Sequence, residues 1–263
     1  MDHLRDSLLS SLPRDTPSTA TIDHARRDQE GTRQLPQGHI HSLWYMYYEL
    51  GKAVSSESPG HEGLVLDILR IQRMGPLTRP ARGNDLPFFV GDMTNFSVNH
   101  AASMSVTHRL NFAVFLAKLA STRVAKDRLC QVALLIFRTL FESPQALPTG
   151  EESKEEDINR GTKQLEVFHL LPAAVAWLKI ASHNLLLLSE VCWNGCPSHI
   201  SKGGEKFLES QLGQRSPAGL SPWRYMFWLK RLHEIQEEAK DAHKKALAEP
   251  AAYGIQYMIN TLK

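Results

Sequence analysis

The run SPWRYMFWLKRLHEIQEEAKDAHKKALAE, Ser221 to Glu249, constrains the fold more than any other part of the chain. Tyr225, Trp228, Leu229, Leu232, Ile235, Ala239 and Ala246 recur at helical period and form one apolar stripe. Glu234, Glu237, Glu238, Asp241, Lys244 and Lys245 lie opposite. Ser221 has the right chemistry for an N-cap, and Pro222 suits the first helical position. A helix with such a stripe must bury it against other helices.

Those other helices are written along the chain in the same period. IHSLWYMYYELGKAV predicts a helix with Leu43, Tyr47 and Leu50 on one face. GLVLDILRIQ follows a cap at Ser58 and Pro59, and Gly75 and Pro76 end it. TRPARGNDLPFFVGDM reads as a loop from its glycines and prolines. HRLNFAVFLAKLAS, His108 to Ser121, is apolar on almost every side and is expected at the centre. VAKDRLCQVALLIFRTLFE continues at helical period. LEVFHLLPAAVAWLKIASHNLLLLSEV returns to helix, with Pro172 starting or kinking its main part. PAAYGIQYMINTLK supplies a last helix begun by Pro250. Neither strand alternation nor an internal repeat is present. The expected fold class is all-α, an irregular bundle of about eight to ten helices with a mobile N-terminal arm.

The arm is placed at residues 1–39. Pro13 to His39 is polar and holds too little apolar surface to offset its ordering entropy, while Asp2 to Leu12 has room for a short amphipathic helix. Residues 40–263 are expected to form a single helical domain. It is interrupted by an exposed acidic loop near 149–161, which contains EESKEED. The 263 residues carry a formal net charge of +2, too small a basic bias to expect a nucleic-acid partner. The N-terminus lacks a continuous apolar signal segment, and the longest apolar run is broken by Lys179, His183 and Asn184. No membrane span is therefore expected. With three cysteines and no export signal, the expectation is a soluble cytoplasmic protein with reduced thiols.

EVCWNGCPSHI offers the closest approach to a metal site. Cys192, Cys196 and His199 supply three ligands where structural zinc takes four, and three residues separate the cysteines instead of two. Asn194, Gly195 and Pro197 are stop signals, so the segment reads as a helix end. The paired histidines His39 and His41 have no carboxylate near them in sequence. His61-Glu62 lacks the second histidine of a metalloprotease helix. Gly51-Lys52 lacks the frame of a phosphate-binding loop, and no nucleophile elbow occurs. The remaining polar residues on largely apolar helices are Arg138 and Glu142, spaced as an i,i+4 pair, together with His108 and His169.

Four tracts in order carry a resemblance: LWYMYYELGKAV with HEGLVLDIL, NDLPFFVGDM with LNFAVFLAKLAS, LPAAVAWLKIA, and SPWRYMFWLKRLHEI. Together they resemble a family of fungal proteins of unknown function, domain of unknown function thirty-six thirty-two. Its members share a Trp-containing first helix, a Leu-Pro loop, a Leu-Asn-x-Phe-Ala helix and a late helix with two tryptophans around a basic pair. This chain departs from the pattern at Gly83 and Asn84, where a tryptophan is usual, and in the order Pro222-Trp223-Arg224. The resemblance implies a helical fold and a fungal setting, near genes of secondary metabolism for some members. It implies no activity, cofactor or catalytic residue.

Three functions stay open on the sequence. The first is an accessory factor whose partner is another protein. The second is a cofactor-free enzyme of cyclase or isomerase type that holds an apolar small molecule, with Arg138, Glu142, His108 and His169 as the catalytic candidates. The third is a zinc protein using Cys192, Cys196 and His199. The first two require no cofactor.

Overall fold

The central helix of the computed structural model is the one that is apolar all round. The model describes residues 36–74, 86–125, 127–143 and 157–263, with backbone alone at 102 and 157–166. Ten α-helices occur among the described residues, and no strand does. They are α1 (Gln37–Ala53), α2 (Pro59–Arg73), α3 (Phe89–Asn99), α4 (Val106–Ser121), α5 (Cys130–Phe137), α6 (Asp157–Glu190), α7 (Ser198–Ser201), α8 (Glu205–Leu208), α9 (Pro222–Asp241) and α10 (Lys245–Thr261). In α4, Phe112 to Ala117, Leu119 and Ala120 are all buried, because α1 packs on one side and α6 on the other. Helix α6 also lies against α10, and α10 against α9. One hydrophobic core runs through these helices from Ile40 to Met258.

Helix starts follow local chemistry. Ser58, Ser105 and Ser221 each accept a backbone N–H from the first turn of α2, α4 and α9, and Pro59 and Pro222 follow two of them. Helix ends are less ordinary. Helices α4, α6 and α9 close with left-handed residues that are not glycine: Arg123, Cys192 and His243. Beyond each, the next N–H reaches back five residues: Val124 to Leu119 (3.2 Å), Trp193 to Leu188 (2.9 Å) and Lys244 to Ala239 (2.7 Å). This is the Schellman geometry, built here without the residue that adopts it most easily.

Several sequence expectations are corrected. Helix α1 buries Ile40, Trp44, Tyr47, Tyr48 and Gly51, a face rotated from Leu43 and Leu50. The reason is Gly51, where an added Cβ would stand 2.7 Å from the Phe115 ring, so α1 and α4 meet there closely. The expected loop LPFFVGDM becomes helix from Phe89 onward. Trp44 Nε1–H donates to the Pro87 carbonyl at 2.7 Å and packs edge-on against Phe89, fixing the turn that starts α3. Helix α5 begins only at Cys130, after turns at 122–125 and 127–129. The acidic loop cannot extend to 161, because α6 starts at Asp157; residues 144–156 lie outside the described residues. Of the proposed arm, 37–39 are helical, and 1–35 likewise lie outside.

Pro172 sits inside α6, whose one non-helical residue is Ala181 (φ −118°, ψ 15°). The long C-terminal stripe is two helices, not one. The break at His243 exposes Ala246 and puts Leu247 into the core, and Pro250 falls inside α10 instead of starting it. Finally, Val167–Glu190 is long and apolar enough to cross a membrane by length and composition, contrary to the sequence reading. Half of its apolar window is buried within this fold, against α4 and α10.

Candidate functional site

The apolar run of α5 ends on a widened turn. Arg138–Glu142 forms π-helix, with bonds five residues apart instead of four. In an α-helix the two side chains would share a face and pair. Here the wider turn separates them, and each finds different partners.

Glu142 is fully buried and meets Arg224, also fully buried, from the first turn of α9. Arg224 Nε donates to Glu142 Oε1 at 2.6 Å, and Nη2 donates to Oε2 at 2.9 Å. The other Arg224 donors reach the carbonyls of Ser201 and Gly219, both at 2.8 Å, and of Lys202 at 3.2 Å. Trp228 Nε1–H donates to Oε1 and the Gly204 N–H to Oε2, each at 2.7 Å. Every guanidinium N–H is therefore used, and each carboxylate oxygen accepts two bonds. The Arg224 guanidinium also lies over the Phe207 and Trp228 rings. Two glycines make room. A Cβ at Gly204 would stand 2.7 Å from that of Glu142. Gly219, at φ +88°, has the Trp193 carbonyl where its Cβ would be.

Burying two charges is expensive, and such a pair is retained only with this kind of saturation. Its effect is to staple the end of α5, the α7–α8 segment and the start of α9 into one arrangement. In this arrangement neither Glu142 oxygen has an open acceptor position.

Arg138 takes a different role. Its Nη1 donates to the carbonyls of His199 (2.5 Å), Ile200 (3.4 Å) and Lys202 (3.4 Å), the open end of the short helix α7. Burial first, then the charge of Arg224, pulls its pKa below the ordinary arginine value. Arg138 lines an open depression of about 510 Å³ with Ser143, Lys202, Gly203, Gly204, Glu205, Leu208 and Glu209. His108 is exposed in the first turn of α4, and His169 is half-buried on α6 beside Phe168; neither lines the depression. The four candidates thus divide into two neighbours with separate partners and two histidines elsewhere.

The CWNGC segment is a helix end. The Schellman closure falls on Cys192 itself, upstream of Asn194 and Gly195. All three cysteines are free. Burial raises the Cys196 thiol pKa, with Arg224 and Arg138 pulling the other way. His199 is exposed, and among the described residues no three His, Cys, Asp or Glu side chains converge to hold a metal ion.

A second polar cluster was not foreseen. Asn111, on α4, holds the end of α1 and the turn that follows it: its Nδ2 donates to the Lys52 carbonyl at 3.1 Å and its Oδ1 accepts the Ser56 N–H at 3.0 Å. His61, fully buried, donates from Nε2 to the Asn111 carbonyl at 3.1 Å and accepts at Nδ1 from Lys118 Nζ at 3.2 Å. Lys118 completes the cluster by pairing with Glu62 at 2.6 Å. The sequence signal for Arg224 was present but passed over. It stands four residues before Trp228 and eight before Leu232, a charge on the apolar stripe.

These features describe an all-helical protein whose fully buried ion pair holds its elements together. Residues 44–232 match the family described as Protein of unknown function (DUF3632), and the chain belongs to that family. It is similar to the oxopyrrolidines biosynthesis cluster protein G of Penicillium oxalicum, with 62% identity over 312 aligned positions that span 100% of this chain and 87% of the relative. No solved structure matches the chain.

Proposed function

We propose that this protein is a non-catalytic accessory factor of fungal small-molecule biosynthesis, acting in the cytoplasm through a protein partner. The observation that carries the reading is the saturation of Glu142. The fully buried carboxylate, the strongest acid–base candidate, spends its whole bonding capacity on Arg224, Trp228 and Gly204. The biosynthetic setting is supported by the similarity to the cluster protein of Penicillium oxalicum. Three free thiols fit a reducing compartment. Deleting the gene in its fungal host and comparing small-molecule profiles tests the role. Loss or depletion of one product family supports it, and an unchanged profile refutes it.

One observation favours the alternative, a cofactor-free enzyme with an apolar substrate. Trp177 Nε1 and the Tyr225 hydroxyl are buried without a hydrogen-bond partner, and burial pushes the tyrosine pKa up to about 12. Unpaired buried donors of this kind are rare and suit a molecule held inside. An apolar metabolite retained through purification and released on denaturation, seen by native mass spectrometry, would favour that reading.

A further inference from the structure

We propose that the depression beside the π-turn binds a small zwitterion, an α-amino acid with an apolar side chain. This deepens the accessory reading and rests on it for the biosynthetic setting. Two cations, Arg138 and Lys202, and two carboxylates, Glu205 and Glu209, line the depression. None of the four makes an ion pair with another described residue. The carboxylate that sequence spacing would give Arg138 is Glu142, and Arg224 has taken it. Arg138 is held in place through Nη1 alone, which leaves Nε and Nη2, one edge of the guanidinium, without a partner among the described residues. That edge suits a carboxylate gripped by two parallel bonds. Burial and the neighbouring Arg224 charge disfavour the charged guanidinium, so a bound anion would relieve the imbalance. Glu205 and Glu209, one turn apart, suit an ammonium group. Leu208 between them is 42% exposed and offers an apolar floor. Lining charges of both signs disfavour a polyphosphate, and a volume of about 510 Å³ is ample for an amino acid.

The test is calorimetry on the full chain at low salt with L-leucine, N-acetyl-leucine, which lacks the ammonium, and leucinamide, which lacks the carboxylate. Leucine is expected to bind, and each analogue to bind at least about tenfold more weakly, the loss of roughly one charged contact. The exposed double variant Glu205→Gln/Glu209→Gln should weaken leucine by a similar factor while leaving N-acetyl-leucine unchanged. Lys202→Gln should weaken leucine and N-acetyl-leucine alike. Two results overturn the proposal: no heat with leucine up to about 10 mM, or equal binding of leucine and N-acetyl-leucine. Either would remove this site and leave the accessory role standing, whereas an unchanged metabolite profile on gene deletion would remove the role and leave the site.

Discussion

Replacing Glu142 with glutamine keeps the shape of the side chain and removes its charge. The amide oxygen can still accept two donors. The amide nitrogen then faces the other two, and whichever way it turns, it opposes an Arg224 N–H and either Gly204 N–H or Trp228 Nε1–H. Two buried donors lose their acceptor, at about 1–3 kcal/mol each. Arg224, fully buried, also loses its counter-charge. Removing one partner of a buried pair typically costs about 3–5 kcal/mol, so a loss near 4 kcal/mol is expected. Native domains hold only about 5–15 kcal/mol in total, so this is a large fraction. With a urea slope of about 3 kcal/mol/M for a chain of this size, the unfolding midpoint should fall by about 1.3 M. Glu237→Gln serves as control. Its ion pair with Lys240 at 2.8 Å is exposed on α9, and the change should stay within about 0.5 kcal/mol. Arg224→Met alone should also be severe, because three carbonyls lose their donor. The double variant should cost well under the sum of the two, with a coupling of at least about 1.5 kcal/mol. A midpoint shift for Glu142→Gln no larger than the control, or additive single effects, would refute the assignment of this pair as the staple of the fold.

Further expectations come from single residues. His61 is held neutral, its pKa lowered mainly by burial. The unfolded chain therefore takes up a proton near the ordinary histidine value of about 6.5 where the folded one resists, and stability should drop as pH falls below that value towards the folded pKa. Thermal unfolding between pH 7.5 and 5 checks this, and His61→Gln should flatten the slope. His243, exposed and left-handed at the end of α9, should become more stable as glycine by about 0.5–1 kcal/mol, read as a rise in the urea midpoint. Burial pushes the Cys130 thiol up to about 12, so a thiol reagent at pH 8 should label at most Cys192 and Cys196 in the folded protein and all three cysteines in urea.

Much of the helical architecture was legible because helix starts are local. Ser58 and Ser221 cap where their spacing from the apolar residues places them, whereas the start of α4 at Ser105, ahead of His108, emerges only in the structure. Helix ends were less legible. His243 and Cys192 adopt a left-handed conformation that no residue type announces, so the break after α9 stayed hidden, and CWNGC was legible as a helix end from Asn194, Gly195 and Pro197 while its closure on Cys192 was not. The face of α1 was misassigned because it depends on a neighbour, the Phe115 ring lying over Gly51. The same limit applied at the candidate site. The i,i+4 spacing of Arg138 and Glu142 implied that the two pair with each other, and a π-turn reversed it by sending one side chain inward and the other to cap α7. The true partner of Glu142 lies on α9, and only packing shows it.

The accessory role is tested most directly by complementation. The deletion strain should receive either the natural gene or a His108→Ala/His169→Ala variant, whose fold is first checked by circular dichroism. Neither histidine holds the core: His108 is exposed and His169 is half-buried. A non-catalytic factor predicts that the variant restores the product to the level of the natural gene. A folded variant that leaves the product absent would place chemistry on one of those histidines and contradict the account.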